Sequence, residues 1–320
     1  MLQSLRTTGL NVAYQGPEAP LPDGTTRHVL ATVRYSARGP APQQSGLVVD
    51  VPLTQLGSRK LVEVWTSDEP CAIDERHGFR LARTDAWLFG AVEFGEGPLG
   101  ERTRAAYERL LDLVDEDDKH LLRVWNSVPD TLAGRPDFLR YMEFCQGRAE
   151  AFETHYGADF ESHLCAFSAV GSLDGAQCLY FLAAREAGVA LENPRQVSAY
   201  RYPPRYGPRS PSFARALRGP RSAGGALFLS GTASIVGHES RHPGEVEEQT
   251  RETLCNLRAL LGDSDVMDLL KVYLRHAQDR AAVGAILEQE FGRQLPTLWL
   301  RADICRPELL VEIEGLASPR

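Results

Sequence analysis

Apolar residues recur at three- and four-residue spacing in ERTRAAYERLLDLV, from Glu101, and in EQTRETLCNLRALL, from Glu248, which predicts two amphipathic helices. The two superpose. With a shift of 147 residues, Thr103, Arg104, Tyr107 and Leu110 fall on Thr250, Arg251, Leu254 and Leu257. LLRVW (Leu121 to Trp125) falls on LLKVY (Leu269 to Tyr273) with a shift of 148, and WLFGAVEF, ending at Phe94, on FLSGTASI, ending at Ile235, with a shift of 141. Short apolar or alternating runs such as AQCLYFLAA and LLVEIEGL read as strands. Each half therefore reads strand, loop, amphipathic helix, strand, helix, strand, strand. This is an internal duplication of an α+β unit, with copies over 1–190 and 191–320 and the second expected to carry the site.

The repeat also isolates what differs. Between the shared glycine (Gly90, Gly231) and the shared helix, the second copy has six extra residues, within VGHESRHPGEVEE, which holds His238, Glu239, Arg241 and His242. A titratable insertion confined to one copy is a place to look for function. His238 and His242 have the spacing of metal ligands on a helix, but Gly237, Pro243 and Gly244 oppose a helix there, so no metal is expected.

Proline punctuates two further stretches. Residues 15–45 read as loops around the strand HVLATVRYSA. YPPRYGPRSPSFARALRGP holds five prolines between Pro203 and Pro220 and can be neither helix nor central strand. Arg205, Arg209, Arg215, Arg218 and Arg221 lie in or beside it, so it reads as an ordered loop lining a site, with a solvated basic loop as the alternative.

Period-two alternation in LWLRADICRP puts Arg301, Asp303 and Cys305 on one strand face, and in LLVEIEGL it puts Glu312 and Glu314 on one face. Together they would wall an anion pocket with a carboxyl acid, unless this is simply a solvated sheet face. SGTAS offers Ser230, Thr232 and Ser234 without an evident base, a weak signal for a hydrolase triad.

With 320 residues, 43% hydrophobic and 24% charged, the chain is of globular composition. A net charge of −8 argues against general attraction to nucleic acid or anionic membrane, so any anion site must be local. No apolar run is long enough to span a bilayer, the first residues lack a signal-peptide layout, and six scattered cysteines form no C-x-x-C pair. A cytoplasmic protein with reduced thiols is expected. There is no Walker loop.

The second half resembles the Rid (YjgF-like) family in Gly207-Pro208, Ser230-Gly231, Gln249 with Arg251, Leu254 and Asn256, and the run from Glu312 to Ala317. Over essentially its whole length the chain is similar to the chorismatases, through QVSAYRYPPRYGPRSPSFARA, LFLSGTASIVGHESRHPGEVEEQTRETLCNL and LRADICRPELLVEIEG. The resemblance implies tandem Rid-like (chorismate-mutase-like) units, a mixed sheet packed on helices, and no metal or redox cofactor. It implies cleavage of chorismate to pyruvate plus 3- or 4-hydroxybenzoate, or plus a dihydroxycyclohexadiene acid. An imine deaminase and a non-catalytic binding module are the other readings.

By resemblance the general acid is Glu312 rather than Glu314. Arg215 and Arg301 would bind substrate carboxylates, with Tyr200, Tyr206, Arg148 and Gly231 as further candidates for the pocket. Cys305, with the space left by Gly225, would steer the product towards a hydroxybenzoate, against core packing as the thiol's other use. Two copies in one chain favour a monomer over the trimer typical of Rid proteins.

Overall fold

The computed structural model describes residues 9–22, 24–35, 46–173 and 175–320. The loop expected after the HVLATVRYSA strand falls mostly outside the described residues. Three sheets carry the fold. The first has the order β1-β5-β2-β3, formed by β1 (Leu10–Gln15), β2 (His28–Tyr35), β3 (Leu47–Val51) and, beyond the two-residue β4 (Thr54–Gln55), β5 (Val62–Ser67).

The second sheet has the order β12-β9-β13-β8-β7-β6. Its first strands are β6 (Ala72–Arg76), β7 (Phe79–Arg83) and β8 (Trp87–Glu93), and helix α1 (Leu99–Glu116) leads to β9 (His120–Pro129). A small hairpin, β10 (Gly134–Arg135) and β11 (Phe138–Leu139), precedes α2 (Arg140–Tyr156), which is followed by β12 (Ala166–Ser172) and β13 (Cys178–Ala184).

The third sheet has the order β14-β15-β16-β21-β19-β20-β4. It begins with β14 (Val189–Leu191), β15 (Ala216–Arg218) and β16 (Leu227–Ala233), and the insertion then folds as a second small hairpin, β17 (Ile235–Val236) and β18 (Glu239–Ser240). Helix α3 (Val246–Arg258), β19 (Asp265–Leu274), α4 (Arg280–Phe291), β20 (Thr297–Arg301) and β21 (Val311–Pro319) complete it.

The order β7-β8-β13-β9-β12 of the second sheet is repeated as β15-β16-β21-β19-β20 in the third, each with one parallel pair, β9 with β12 and β19 with β20. The duplicated α+β architecture expected from the helix and strand repeats is thus present as matching topology. Its α-helices bury the expected apolar stripes: Ala106, Tyr107, Leu110 and Val114 on α1, and Leu254 and Leu257 on α3.

Alternation on β21 sets up the site. Val311 and Ile313 join the apolar cluster that also holds Leu254, Leu257, Val283 and Leu287 of α3 and α4, so Glu312 and Glu314 must face the other way. On that side β12 meets the third sheet: Gly171 exchanges backbone hydrogen bonds with Asp303 (2.7 and 2.9 Å), and the Phe167 N–H donates to Ser230 Oγ (2.9 Å). The far edge, β20, is closed by β4 from the N-terminal region.

Candidate active site

Glu312 and Glu314 stand two residues apart on one strand face, both buried, yet their surroundings are opposite. Glu314 accepts hydrogen bonds from Arg123 Nη2 (2.7 Å), Trp125 Nε1 (2.7 Å), Ser168 Oγ (2.5 Å) and Tyr273 OH (3.0 Å), and Lys271 Nζ lies 3.1 Å away. Burial alone would raise its pKa, but Lys271, Arg123 and these donors bring it down to about 2. Glu314 is a fixed anion. Glu312 lines a cavity, and burial followed by the Glu314 charge pushes its carboxyl up to about 8, with Arg123 pulling weakly the other way. At neutral pH it therefore holds its proton.

The cavity has a volume of about 300 Å³ and draws its wall from both halves of the chain. Tyr141, Phe167 and Ser168 come from α2 and β12, and Tyr202, Tyr206, Phe213 and Arg215 from the proline-rich loop. Gly231, Ala233, Cys305, Arg306, Glu308 and Glu312 complete it. This size and mixture of aromatic walls with a few charged groups suit a small organic anion.

Each polar group is held from outside the cavity. Arg215 Nη2 donates to Val197 O (2.8 Å) and Tyr202 OH (2.7 Å), which fixes the guanidinium while leaving further N–H donors. Arg306 Nη1 donates to His238 O (3.0 Å) and Ser240 Oγ (3.0 Å) of the inserted hairpin, and its guanidinium lies 3.9 Å from the Tyr206 ring centroid. Ser240 Oγ also donates to Glu308 (2.6 Å). The insertion therefore serves the cavity by anchoring its Arg306 and Glu308 wall.

The motif residues of α3 act in the same way. Asn256 Nδ2 donates to the carbonyls of Ala233 (3.1 Å) and Ile235 (2.9 Å), and Gln249 ties the carbonyls of His242 and Glu308 to the N–H of Leu310. Burial, followed by the nearby Glu312 charge, raises the Cys305 pKa to about 12, so it remains a thiol.

Of the residues singled out from sequence, the cavity brings together Glu312, Cys305, Arg215, Tyr206 and Gly231. Four others lie elsewhere. Arg301 is exposed at the end of β20 and is not part of the cavity wall, although burial goes on alternating past it through Ala302, Asp303, Ile304 and Cys305. Gly225 occupies the turn between β15 and β16 at φ 67°, where a Cβ would meet only Pro319, so its value is conformational. Tyr200 is a half-buried residue on a short turn, stacked with its neighbour Arg201. Arg148 is buried one layer behind the wall, its guanidinium 4.4 Å from the Phe167 centroid and over Tyr107 and Phe152.

Ser230, Thr232 and Ser234 spend their hydroxyls on the backbone carbonyls of Ala214, Ser230 and Arg241. His238 Nδ1 sits 2.9 Å from Arg205 Nη2, and among the described residues no group of three or more His, Cys, Asp or Glu could hold a metal ion. Sequence reasoning missed Ser168, Tyr141, Tyr202 and Arg306. Arg306 follows Cys305 directly within a block already quoted, whereas Ser168 lies in an apolar strand with no local signal.

Fold and cavity together define a duplicated α+β protein that encloses a small-molecule site with a proton-bearing carboxyl and two arginines. The family model "Chorismatase FkbO/Hyg5-like, N-terminal" matches residues 63–183. A 3-hydroxybenzoate synthase of Streptomyces hygroscopicus is 34% identical over 98% of both chains, and a chorismatase of Streptomyces rapamycinicus is 37% identical over 80% of this chain and 82% of its own. A chorismatase crystal structure, 30% identical, superposes with a TM-score of 0.85 over 98% of this chain and 100% of that one. The chain belongs to the chorismatase family.

Gly231 leaves the room that Glu312 uses, since a Cβ there would overlap Glu312 Oε1 and come within 2.9 Å of Ser168 Oγ. The overlap is with the tip of a side chain, and the backbone at Gly231 does not need glycine. Gly231→Ala should therefore fold with a melting temperature within about 4 °C of the parent. A crystal structure of the variant should show the Glu312 carboxyl swung away, and finding it unmoved would refute this use of the glycine.

Proposed function

We propose that the protein converts chorismate to pyruvate and a hydroxybenzoate, with Glu312 as general acid. The observation that carries this reading is a buried carboxyl that holds its proton at neutral pH in a cavity with two anchored guanidinium groups. The full-length relative named 3-hydroxybenzoate synthase supports the 3-isomer.

In this reading Arg215 and Arg306 take the two substrate carboxylates through charge-assisted hydrogen bonds, each worth roughly 1.5–3 kcal/mol. Glu312 delivers its proton to the terminal methylene carbon of the enolpyruvyl group, and the resulting oxocarbenium carbon is open to attack by oxygen. Pyruvate and hydroxybenzoate together contain all the atoms of chorismate, so this outcome consumes no net water. The dihydroxycyclohexadiene acid requires one. The wall of Phe167, Phe213, Tyr202 and Tyr206 is largely aromatic, which supports the hydroxybenzoate branch, and the Cys305 thiol beside Glu312 shapes that side of the cavity.

The same reading divides the chain near residue 190 into two copies whose junction forms the site, so one chain suffices and a monomer follows. Light scattering should then give a mass near 35.3 kDa, and three times that value would contradict it. Six free cysteines support action in the reducing cytoplasm.

Pyruvate release from chorismate, coupled to lactate dehydrogenase, tests the activity without added metal or nucleotide to the primary reaction. Glu312→Gln should lose about 10²- to 10⁴-fold in kcat while remaining folded. Because the acid must be protonated, the parental rate should hold below pH 8 and fall as pH rises through about 8. A Glu312→Gln enzyme of parental rate would sink the assignment. Cys305→Ala should keep releasing pyruvate while chromatography shows the second product shifting towards the dihydroxycyclohexadiene acid. An unchanged product ratio would leave Cys305 as packing.

A further inference from the structure

Behind Glu312, on the side away from the cavity, lie four buried charges that binding and proton delivery do not themselves require. Glu63 of β5, Lys271 of β19, Glu314 of β21 and Arg123 of β9 come from all three sheets. Lys271 Nζ bridges Glu63 (2.8 Å) and Glu314 (3.1 Å), and Arg123 binds Glu314 and Ser168 Oγ (2.6 Å). Glu63 also accepts from Tyr35 OH (2.8 Å) and Trp65 Nε1 (2.7 Å). Two anions meet two cations, so the cluster closes on itself. In the internal repeat Arg123 and Lys271 are equivalent positions, as are Trp125 and Tyr273, so each copy sends a cation and a donor towards the same carboxylate.

We infer that this quartet is a positioning device for the reaction: it holds Glu314 as a permanent anion beside Glu312 and so keeps the Glu312 carboxyl in its proton-bearing form. The inference rests on the reading of Glu312 as the acid. Glu312 and Glu314 are two strand positions apart, about 7 Å between Cα atoms. A second negative charge there would have to form inside a cluster already neutral, in a buried setting where like charges repel strongly.

The other groups around Glu312 offer little to offset this. Tyr141 of α2 and Cys305, which follows β20, are held neutral by burial, and Tyr273 of β19 is spent on Glu314. Ser168 of β12 donates to Glu314 as well. Among the cavity's charged groups, Arg215 and Arg306 keep their charge but are held towards Tyr202, Val197 and the inserted hairpin, and Glu308 is bound to Ser240, while Arg123, the cation that acts on Glu312, is already paired with Glu314.

The pH dependence of kcat in full-length variants tests this. Glu314→Gln removes the neighbouring anion and leaves Arg123 and Lys271 in excess, so the fall in rate at high pH should move down by about one pH unit or more. Lys271→Gln removes a cation and should move it up. A purely structural role would lower the rate at every pH without displacing the limb. In the unmutated protein carrying carboxyl-¹³C glutamate, the signal missing from Glu312→Gln should be that of a protonated acid at pH 7, while the signal missing from Glu314→Gln should be ionised.

The labelled parent keeps the test open if a quartet variant does not fold, with Ser168→Ala and Tyr273→Phe then supplying the Glu314 assignment by their shifts. An unmoved limb in a folded Glu314→Gln enzyme, or an ionised Glu312 at pH 7, overturns the inference. An active Glu312→Gln enzyme defeats the general-acid reading instead. An inactive Glu312→Gln with an unmoved limb in Glu314→Gln defeats only the role of the quartet.

Discussion

The structure depends on a buried carboxylate, Glu314, and on the requirement that its charge be answered from every side. Cations and donors reach it from β9, β12 and β19, and Lys271 extends the network to Glu63 in the N-terminal sheet. Such a cluster need not add net stability over an apolar core, because desolvating four charges offsets most of their attraction. Its effect is on geometry. Sliding one sheet against another would strand an unpaired buried charge at a cost of about 3–5 kcal/mol, so the three sheets share one low-energy arrangement. The aromatic rings around it, with Trp125 stacked on Tyr180 at 4.7 Å between centroids, surround the charges with a low-dielectric shell.

That arrangement gives two carboxyls of one strand opposite fates. Glu314, saturated with donors, is ionised, and Glu312, next to it and without a comparable set of partners, is neutral. Environment alone separates an ionised carboxylate from a protonated carboxyl. The cavity follows from the same packing, since its wall needs β12 and α2 of the first copy, the proline-rich loop, and the strand ends of the second. Proline stiffens that loop and an inserted hairpin braces Arg306, so the charged groups are ordered before any ligand arrives.

Much of this was legible in the chain. Helical and strand periodicities on both copies survive as matching sheet orders because apolar spacing reflects which face each element buries, and burial is what packing then enforces. The family motifs were legible as patterns but not as roles: Gln249 and Asn256 prove to be hydrogen-bonded ties for the cavity wall. Alternation correctly put Glu312 and Glu314 on one face, and burial alternates from Arg301 to Cys305 as well, yet Arg301, at the far end of that run and still within β20, does not reach the cavity that Cys305 lines. Gly225 and Gly231 look alike as letters, and only their neighbours, Pro319 for one and Glu312 for the other, separate a turn from a site.

The amino-acid order by itself determined the duplicated α+β unit, the stiff arginine-bearing loop, the extra segment in the second copy and the pair of candidate carboxyls, because each is a local pattern of spacing or composition. Tertiary structure alone decided which carboxyl is charged. That choice depends on Arg123, Lys271 and Glu63, residues 189, 41 and 249 positions from Glu312 in the chain, and charge acts through distance in space rather than along the sequence.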